Sequence, residues 1–375
     1  MSARRTDELR QRARQEGFEA IAVSHVGPLE RDGRMLERWL QAGHEAGMGW
    51  MSRDPALRSD PARLLPGCRS VVSVAMNYWP GESAGTAGRW GRVARYAQAR
   101  DYHRVMGDRL KRLCEWLSEE GADARHFVDT GPVLERAWAE RSGIGWIGKN
   151  ANLLTREMGS WVLLGELLTT AELVADRGPH EDFCGTCTAC LDGCPTGAIR
   201  EPGVVDSTRC ISYWTIEHRG TVPVEKRELL DDWIFGCDVC QSVCPWNHRF
   251  ARPADDTVVQ RRKDLDGLDP EEILALDEAA FRERYSGTAL MRAKWEGMRR
   301  NACILLGNRG RSEALPALVR ALSDPDPVVR AHAAWAIGRI GGERARELLQ
   351  RAASDESYPA VREEIDHALK APGNA

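Results

Sequence analysis

The sequence predicts a multidomain chain of the α/β plus α class, with a mixed α/β first half, a cysteine-rich middle and an all-helical end. Three observations carry this expectation. Apolar β-branched segments alternate with charged helical ones over residues 1–175. Eight of the eleven cysteines fall within 176–260. Residues 261–375 read as helices and contain an internal repeat. At 375 residues there is room for two or three separate cores, here expected at 1–175, 176–260 and 261–375. The formal net charge of −4 argues against a globally basic nucleic-acid binder, so any basic surface has to be local. The N-terminus is charged and helix-like, and no apolar run approaches the ~18 residues of a spanning helix. A cytoplasmic protein with no membrane segment is expected. In that compartment thiols stay reduced, and clustered cysteines mean metal or redox chemistry rather than disulfides.

In chain order, residues 6–17 read as a helix leading into EAIAVSHV (Glu19 to Val26), an apolar strand. SVVSVAMNY (Ser70 to Tyr78) is β-branched and bounded by Pro66-Gly67 and Pro80-Gly81, so it is a second strand. GESAGTAGRWG, before Arg92, has the composition of a mobile loop. A charged helix is expected from about Tyr102 to Glu120, then HFVDT as a short strand ending at Asp129. Thr130-Gly131-Pro132 forces a turn before a helix starting around Leu134. NLLT and SWVLLGELLTT flank REMG and resemble two strands joined by a turn. Residues 176–250 have few apolar runs, as expected of a small domain organised by metal, and a polar linker near 251–268 follows.

In the helical end, Arg299, Ala302, Gly307 and Gly310 recur 31 residues later as Arg330, Ala333, Gly338 and Gly341. Paired helices of that period, with Ala on the inner face and Gly at the turn, are the pattern of a stacked α-solenoid, most like HEAT repeats. A stabilising cap is the plain alternative.

Cys184, Cys187, Cys190 and Cys194-Pro195 spell C-x2-C-x2-C-x3-C-P, the bacterial ferredoxin run for a [4Fe–4S] cluster. Three closely spaced thiolates wrap one face of a cubane, and the fourth, turned away by the proline, ligates a different cluster. A second, incomplete run is Cys237, Cys240 and Cys244-Pro245, with Cys210 available as the missing thiol. Crossover logic assigns Cys184, Cys187, Cys190 and Cys244 to one cluster, and Cys194, Cys210, Cys237 and Cys240 to the other. A pair of four-cysteine zinc sites is the alternative. Zinc, however, needs neither a third Cys close behind nor a C-P exit, twice. Cys68, Cys114 and Cys303 have apolar or helical surroundings and are expected to be buried small hydrophobes.

Outside the cysteines the strongest segment is VDTGPVLERAWAERSGIGWIGKN (Val128 to Asn150). Asp129, a carboxylate at a strand end backed by apolar residues, is placed like a general acid with a raised pKa. A turn or N-cap Asp is the plain reading. GIGWIGKN lacks the Gly-Lys-Ser/Thr ending of a phosphate loop. DYHRVMG (Asp101 to Gly107) comes near D-x-H-x-x-G, a pattern by which some cobalamin enzymes supply a histidine to cobalt. One residue too many separates His103 from Gly107, and the segment opens a helix instead of following a strand. As a cobalt-ligand motif the likeness is accidental, while Tyr102 and His103 are expected near a substrate. Two basic runs are interleaved with aromatics. Arg89, Arg92, Arg95, Arg100, Arg104, Arg109, Lys111 and Arg112 surround Trp90, Tyr96 and Tyr102, and Arg282, Arg284, Arg292, Lys294, Arg299 and Arg300 surround Trp295. Such runs suit phosphate contacts with stacking on unpaired bases, and a solvated helix face explains either one alone.

The VDTGPVLERAWAERSGIGWIGKN segment, the paired cysteine runs with RCISYWT between them and the C-terminal repeat together resemble the epoxyqueuosine reductase family over nearly the whole chain. The resemblance implies a nitroreductase-like α/β domain holding base-off cobalamin without a histidine ligand from the protein. It implies a ferredoxin-like domain whose two [4Fe–4S] clusters pass electrons to cobalt, and HEAT-like repeats that help hold a tRNA. The implied reaction is a two-electron reduction of epoxyqueuosine to queuosine at the tRNA wobble position, the last step of queuosine biosynthesis, with the epoxide oxygen leaving as water. By the same resemblance Asp129 is the catalytic proton donor. Cobalamin contacts fall on Arg58, Ala94, Asp129, Asn150, Leu153, Leu164, Ser212 and Asp238. A monomer served by an external electron donor completes the expectation. Two rival readings are a dehalogenase-like cobalamin and iron–sulfur reductase of a small molecule, and a non-catalytic metal-bearing nucleic-acid adaptor.

Overall fold

In the computed structural model, which describes residues 2–81, 91–179, 181–255 and 261–371, the two segments read as strands from their β-branched runs pair directly. Strand β1 (Ala20–His25) runs antiparallel to β2 (Ser70–Asn77), with Ala20 opposite Ala75 and His25 opposite Ser70. Strand β3 (Ala124–Phe127) and strand β4 (Val162–Thr169) complete a four-stranded antiparallel sheet in the order β1-β2-β4-β3. Every residue of β2 is buried, Ser70, Ser73 and Asn77 included, and its β-branched apolar residues fall on both faces. Helix α1 (Ser2–Gln15) buries Leu9 and Ala13. Helix α2 (Tyr102–Glu119) buries Val105, Met106, Leu110, Leu113 and Leu117, an amphipathic stripe at helical spacing. A Cβ on Gly165 of β4 would lie 2.8 Å from Leu110 Cδ1, so the glycine is what lets α2 approach the sheet. Helix α3 (Glu135–Ser142) stops at Gly143, which takes the left-handed φ of 91° usual at a helix end.

These elements belong to the first of two compact units, built from Met1–Glu82, Ala99–Thr208 and Asp238–Gln260. It also carries the cysteine loops around 184–194 and 240–244, each closed by a short helical turn, Ala189–Asp192 and Val239–Ser242. Two local expectations are corrected. The strand before Asp129 ends at Phe127, because Asp129 itself takes a φ of 53°, outside any strand conformation. NLLT does not form a hairpin with the long strand. Leu153–Leu154 pairs instead with Trp146–Ile147, and only a Thr155–Gly159 bridge marks the turn, while β4 pairs with β2 and β3. The GESAGTAGRWG loop, with Arg89 and Trp90, lies outside the described residues except at its ends.

The second unit comprises Ser83–Gln98, Arg209–Cys237 and Arg261–Ala375. Strands Arg92–Val93 and Trp233–Phe235 pair in parallel, and a π-helical turn spans Tyr213–Glu217. Helices α4 (Lys294–Arg309), α5 (Leu315–Ala321), α6 (Pro327–Ile340), α7 (Glu343–Asp355) and α8 (Pro359–Leu369) follow. The 31-residue repeat has a physical cause here. A Cβ on Gly307 of α4 would lie 2.5 Å from Trp335 of α6, and one on Gly338 of α6 would lie 2.7 Å from Ala368 of α8. Each repeat thus uses one glycine to seat the next helix. The repeated arginines do the same with charge: Arg299 pairs with Asp324, and Arg330 pairs with Glu356 at 2.7 Å.

Candidate active site

Asp129 follows β3 by two residues, in a left-handed conformation that is rare for a residue with a side chain. Three contacts hold it there. Its backbone N–H donates to Glu135 Oε1 at 2.5 Å, Thr130 N–H folds back to the Val128 carbonyl at 2.5 Å, and Oδ2 meets His103 Nε2 at 3.1 Å. Gly131 is obligatory in the turn, since a Cβ would fall 2.5 Å from Phe127 Cδ1. The Asp129 side chain is 59 % exposed, so its carboxylate is held from behind yet open in front.

His103 sits in the first turn of α2. Its Nδ1 is 2.8 Å from Asp101 Oδ1, the carboxylate that also caps the helix by accepting the His103 N–H. Tyr102 stacks on the imidazole with centroids 4.1 Å apart. Burial alone would lower the histidine pKa, but the hydrogen bonds to Asp101 and Asp129 outweigh it and raise it to about 9. Asp101 is pushed up by burial, yet His103 brings it below the ordinary carboxylate range. Near neutral pH His103 therefore carries a proton and faces Asp129. Tyr102 and His103 were expected near a substrate from the sequence, but the contact between His103 and Asp129 was not.

Two further acids lie behind Asp129. Burial, reinforced by the charge of Asp129, pushes Glu135 up to about 8. Glu166 is fully buried in β4, opposite Phe127 of β3. It accepts from Ser73 Oγ at 2.7 Å, its Oε1 has no hydrogen-bond partner among the described residues, and burial raises its pKa well above the usual range. Its signal in the sequence was a lone carboxylate inside the apolar run VLLGELLT.

The GIGWIGKN segment packs on the cysteine loops. Lys149 Nζ donates to the carbonyls of Gly185 at 2.6 Å and Cys187 at 2.9 Å, and Asn150 Nδ2 donates to the Cys240 carbonyl at 3.4 Å. A Cβ on Gly148 would meet Leu154 at 2.1 Å and Cys184 Sγ at 3.5 Å. Trp146, Phe183 and Trp246 enclose Cys184 and Cys244. Burial pushes the thiols of Cys184, Cys190 and Cys244 up. The charges of Cys244 and Cys184 add to the rise at Cys190, and that of Cys187 to the rise at Cys244. The four thiols assigned to one cluster by spacing thus stand in one another's field. Among the described residues no three His, Cys, Asp or Glu side chains gather closely enough to chelate a single metal ion. The Trp146 indole N–H is buried without a partner in hydrogen-bond geometry among the described residues, and it favours the Cys184 thiolate. One orphaned donor and the neighbouring thiols fit a sulfur-rich anionic group. Cys194 accepts the Ala198 N–H at 3.3 Å, and this with Thr196 lowers its pKa although burial opposes the shift. Cys210 and Cys237 belong to the second unit. Cys68, Cys114 and Cys303 are buried, as expected.

The residues expected around cobalamin divide between the units. In the first, the Arg58 carbonyl accepts from Leu134 N–H at 3.3 Å, tying Arg58 to the segment after Asp129, and its guanidinium donates to the Trp50 carbonyl. Burial lowers its pKa. Leu153 and Leu164 share one apolar cluster, and Asn150 and Asp238 are buried. Apolar faces, an amide and one open acid suit a large ring with an amide-bearing rim, so these residues fit a corrinoid. In the second unit Ala94 is buried with its N–H on the Phe235 carbonyl at 2.8 Å, and Ser212 precedes the π-helical turn.

The basic runs are only partly a solvated surface. Arg299 and Arg300 are buried, and Trp295 donates its indole N–H to the Leu276 carbonyl. Arg112, Arg282, Arg284 and Arg292 are paired with Glu16, Glu278, Glu272 and Glu217.

Comparison with known proteins agrees with this geometry. Residues 58–130 match the family model described as "Epoxyqueuosine reductase QueG, DUF1730", residues 183–247 the "4Fe-4S double cluster binding domain", and residues 288–370 "HEAT repeats". The chain is 43% identical over 300 residues to the epoxyqueuosine reductase of Atelocyanobacterium thalassa, covering 79% of this chain and 97% of that one. It is 41% identical over 346 residues to that of Pseudomonas aeruginosa, covering 90% and 95%. Among solved structures, an epoxyqueuosine reductase with an epoxyqueuosine-modified tRNA-Tyr stem loop aligns with a TM-score of 0.93 at 31% identity, covering 98% of both chains.

Proposed function

The chain belongs to the epoxyqueuosine reductase family, and on that premise we propose that it reduces epoxyqueuosine to queuosine at the wobble position of tRNA, using cobalamin and two [4Fe–4S] clusters. The observation that carries this reading is the open, pinned carboxylate of Asp129 with its protonated neighbour His103. When bound, cobalamin supplied through the clusters provides the two electrons at an epoxide carbon. The balance is one epoxide, two electrons and two protons giving one alkene and one water.

The chain's own residues manage the protons. As the C–O bond breaks, negative charge grows on oxygen, and Asp129 passes to it a proton drawn from the His103 imidazolium. His103 Nε2 lies 3.1 Å from Asp129 Oδ2, and the imidazole, its pKa raised to about 9, is the proton store for that transfer. Glu135 keeps the carboxylate aimed outward by holding its backbone. Arg58, Ala94, Asn150, Leu153, Leu164, Ser212 and Asp238, with Asp129, line the corrinoid. Cys184, Cys187, Cys190 and Cys244 ligate one cluster, and Cys194, Cys210, Cys237 and Cys240 the other, as the ferredoxin spacing supports. In functional terms 1–175 is the cobalamin domain, 176–260 the cluster domain and 261–375 the repeat domain. The chain works as a cytoplasmic monomer with an external electron donor. Among the described residues no helix is long and apolar enough to cross a membrane.

The test is anaerobic incubation of the reconstituted protein with reductant and epoxyqueuosine-bearing tRNA, followed by mass analysis of the nucleosides. A product lighter by one oxygen is expected. Unchanged substrate alongside full cofactor loading would refute the assignment.

A further inference from the structure

Two adjacent residues of α4, Arg300 and Asn301, are each 1 % exposed and make polar contacts that core packing alone does not call for. Arg300 donates from Nη2 to the Trp214 carbonyl at 2.7 Å, and from Nη1 to the carbonyls of His218 at 2.9 Å and Gly220 at 3.1 Å. Its Nε and Nη2 also reach Asn301 Oδ1, which aims the amide. Asn301 Nδ2 then donates to the carbonyls of Thr215 at 2.8 Å and Ile234 at 2.9 Å.

Thr215 closes the arrangement. Its Oγ1 donates to the Ile211 carbonyl at 2.8 Å and accepts the Gly236 N–H at 2.9 Å. Trp214 N–H in turn donates to the Cys210 carbonyl at 3.2 Å. The π-helical turn at Tyr213–Glu217 frees carbonyls that a regular helix would satisfy internally, and Arg300 and Asn301 occupy them. The result is a buried polar brace between the turn that follows Cys210 and the strand that ends two residues before Cys237. Gly236 leaves no slack beside it, since a Cβ there would lie 2.5 Å from the Ala94 Cβ.

The charge is as informative as the geometry. Among the described residues every hydrogen-bond acceptor of Arg300 is a carbonyl or amide oxygen, and none is a carboxylate. Burial and the nearby cation of Arg219 act against the charge of this guanidinium, and Tyr213 and Asp326 offset them only in part, so that its pKa is lowered to about 9. A brace that only closed a fold would need donors, not a cation. A cubane held by thiolates carries net negative charge, and would add to the counter-charge that Asp326 supplies.

We propose that Arg300, Asn301 and Thr215 are positioning residues for the [4Fe–4S] cluster ligated through Cys210 and Cys237, and that the buried charge of Arg300 raises the reduction potential of that cluster. Reduction adds one electron to an already negative centre, and a fixed cation nearby favours the reduced form. The inference rests on the assignment of Cys210 and Cys237 as ligands.

The test uses the full chain, reconstituted anaerobically, with iron analysis, chelator challenge and a redox titration followed by electron paramagnetic resonance. In Arg300→Met one of the two clusters is expected to titrate at a more negative potential while the other stays put. Arg300→Lys, which keeps the charge, should stay near the wild-type potential. Thr215→Val, which keeps the charge but cuts the bridge, should leave both potentials in place and lose iron from one cluster faster than wild type under chelator. Both wild-type midpoints in Arg300→Met would overturn the role of the charge, and wild-type chelator resistance in Thr215→Val would overturn the brace. If Arg300→Met does not fold, Arg300→Gln takes its place with the same expected shift. Two intact clusters in both Cys210→Ser and Cys237→Ser would remove the ligand assignment itself, a failure visible without any brace variant.

Discussion

Replacing His103 with glutamine removes the proton carrier behind Asp129 while keeping a polar side chain of similar reach. The wild-type imidazole is raised from 6.5 to about 9 by Asp101 and Asp129. A rise of that size corresponds to about 3 kcal/mol of interaction. The Asp129 carboxylate is 59 % exposed, and solvent screening reduces the useful part to about 1–2 kcal/mol. The sign follows from the direction of the shift. A histidine raised in the folded state contributes fully below pH 6.5 and loses its contribution as the pH rises through about 9. His103→Gln should therefore unfold at a lower urea concentration than wild type near pH 6, with the gap closing by pH 10. On modified tRNA its turnover should fall by roughly 10²-fold or more, the usual scale for losing a positioned acid. Wild-type turnover should also decline as the pH rises through about 9, a limb absent in the variant. Equal urea midpoints at pH 6, together with an unchanged pH–rate profile, would refute the reasoning.

Asp129→Asn should retain both kinds of cofactor and lose turnover by about 10²- to 10⁴-fold, measured by nucleoside mass analysis beside cofactor absorbance. Glu166→Gln should fold normally, because burial already keeps this carboxyl neutral. An acid raised in the folded state destabilises as the pH climbs above 4.5, so the variant should gain on wild type between pH 5 and 9; parallel urea midpoints over that range would contradict this. Gly307→Ala forces a methyl against Trp335 and the Ala336 backbone and should cost about 1–3 kcal/mol, read as a lower melting temperature.

The local pattern of the chain carried most of the fold that positions the site. Apolar β-branched runs identified β1 and β2, and the Gly and Arg positions of the repeat anticipated where α4, α6 and α8 meet. The errors lie in which nearby partner a short segment takes and where a strand stops. Leu153–Leu154 pairs back onto Trp146–Ile147 across GKNAN, whose glycine and asparagines compete as turn residues with the REMG stretch that follows. The strand before Asp129 stopped early because Glu135, six residues on, draws the Asp129 backbone out of extended geometry. Arg299 and Arg300 read as surface charge because a basic run looks the same whether its partners are water or buried carbonyls. The cysteine runs were legible because spacing alone dictates how thiolates reach a cubane. The pairing of His103 with Asp129 was not, since it joins residues 26 apart through the tertiary fold.

The account depends most on the eight cysteines of the two runs holding a pair of cubanes. Iron and acid-labile sulfide determined on anaerobically prepared, gel-filtered protein test this directly, with about eight of each per chain expected. Zinc in place of iron, at about two per chain, would contradict the electron path and the reduction it serves.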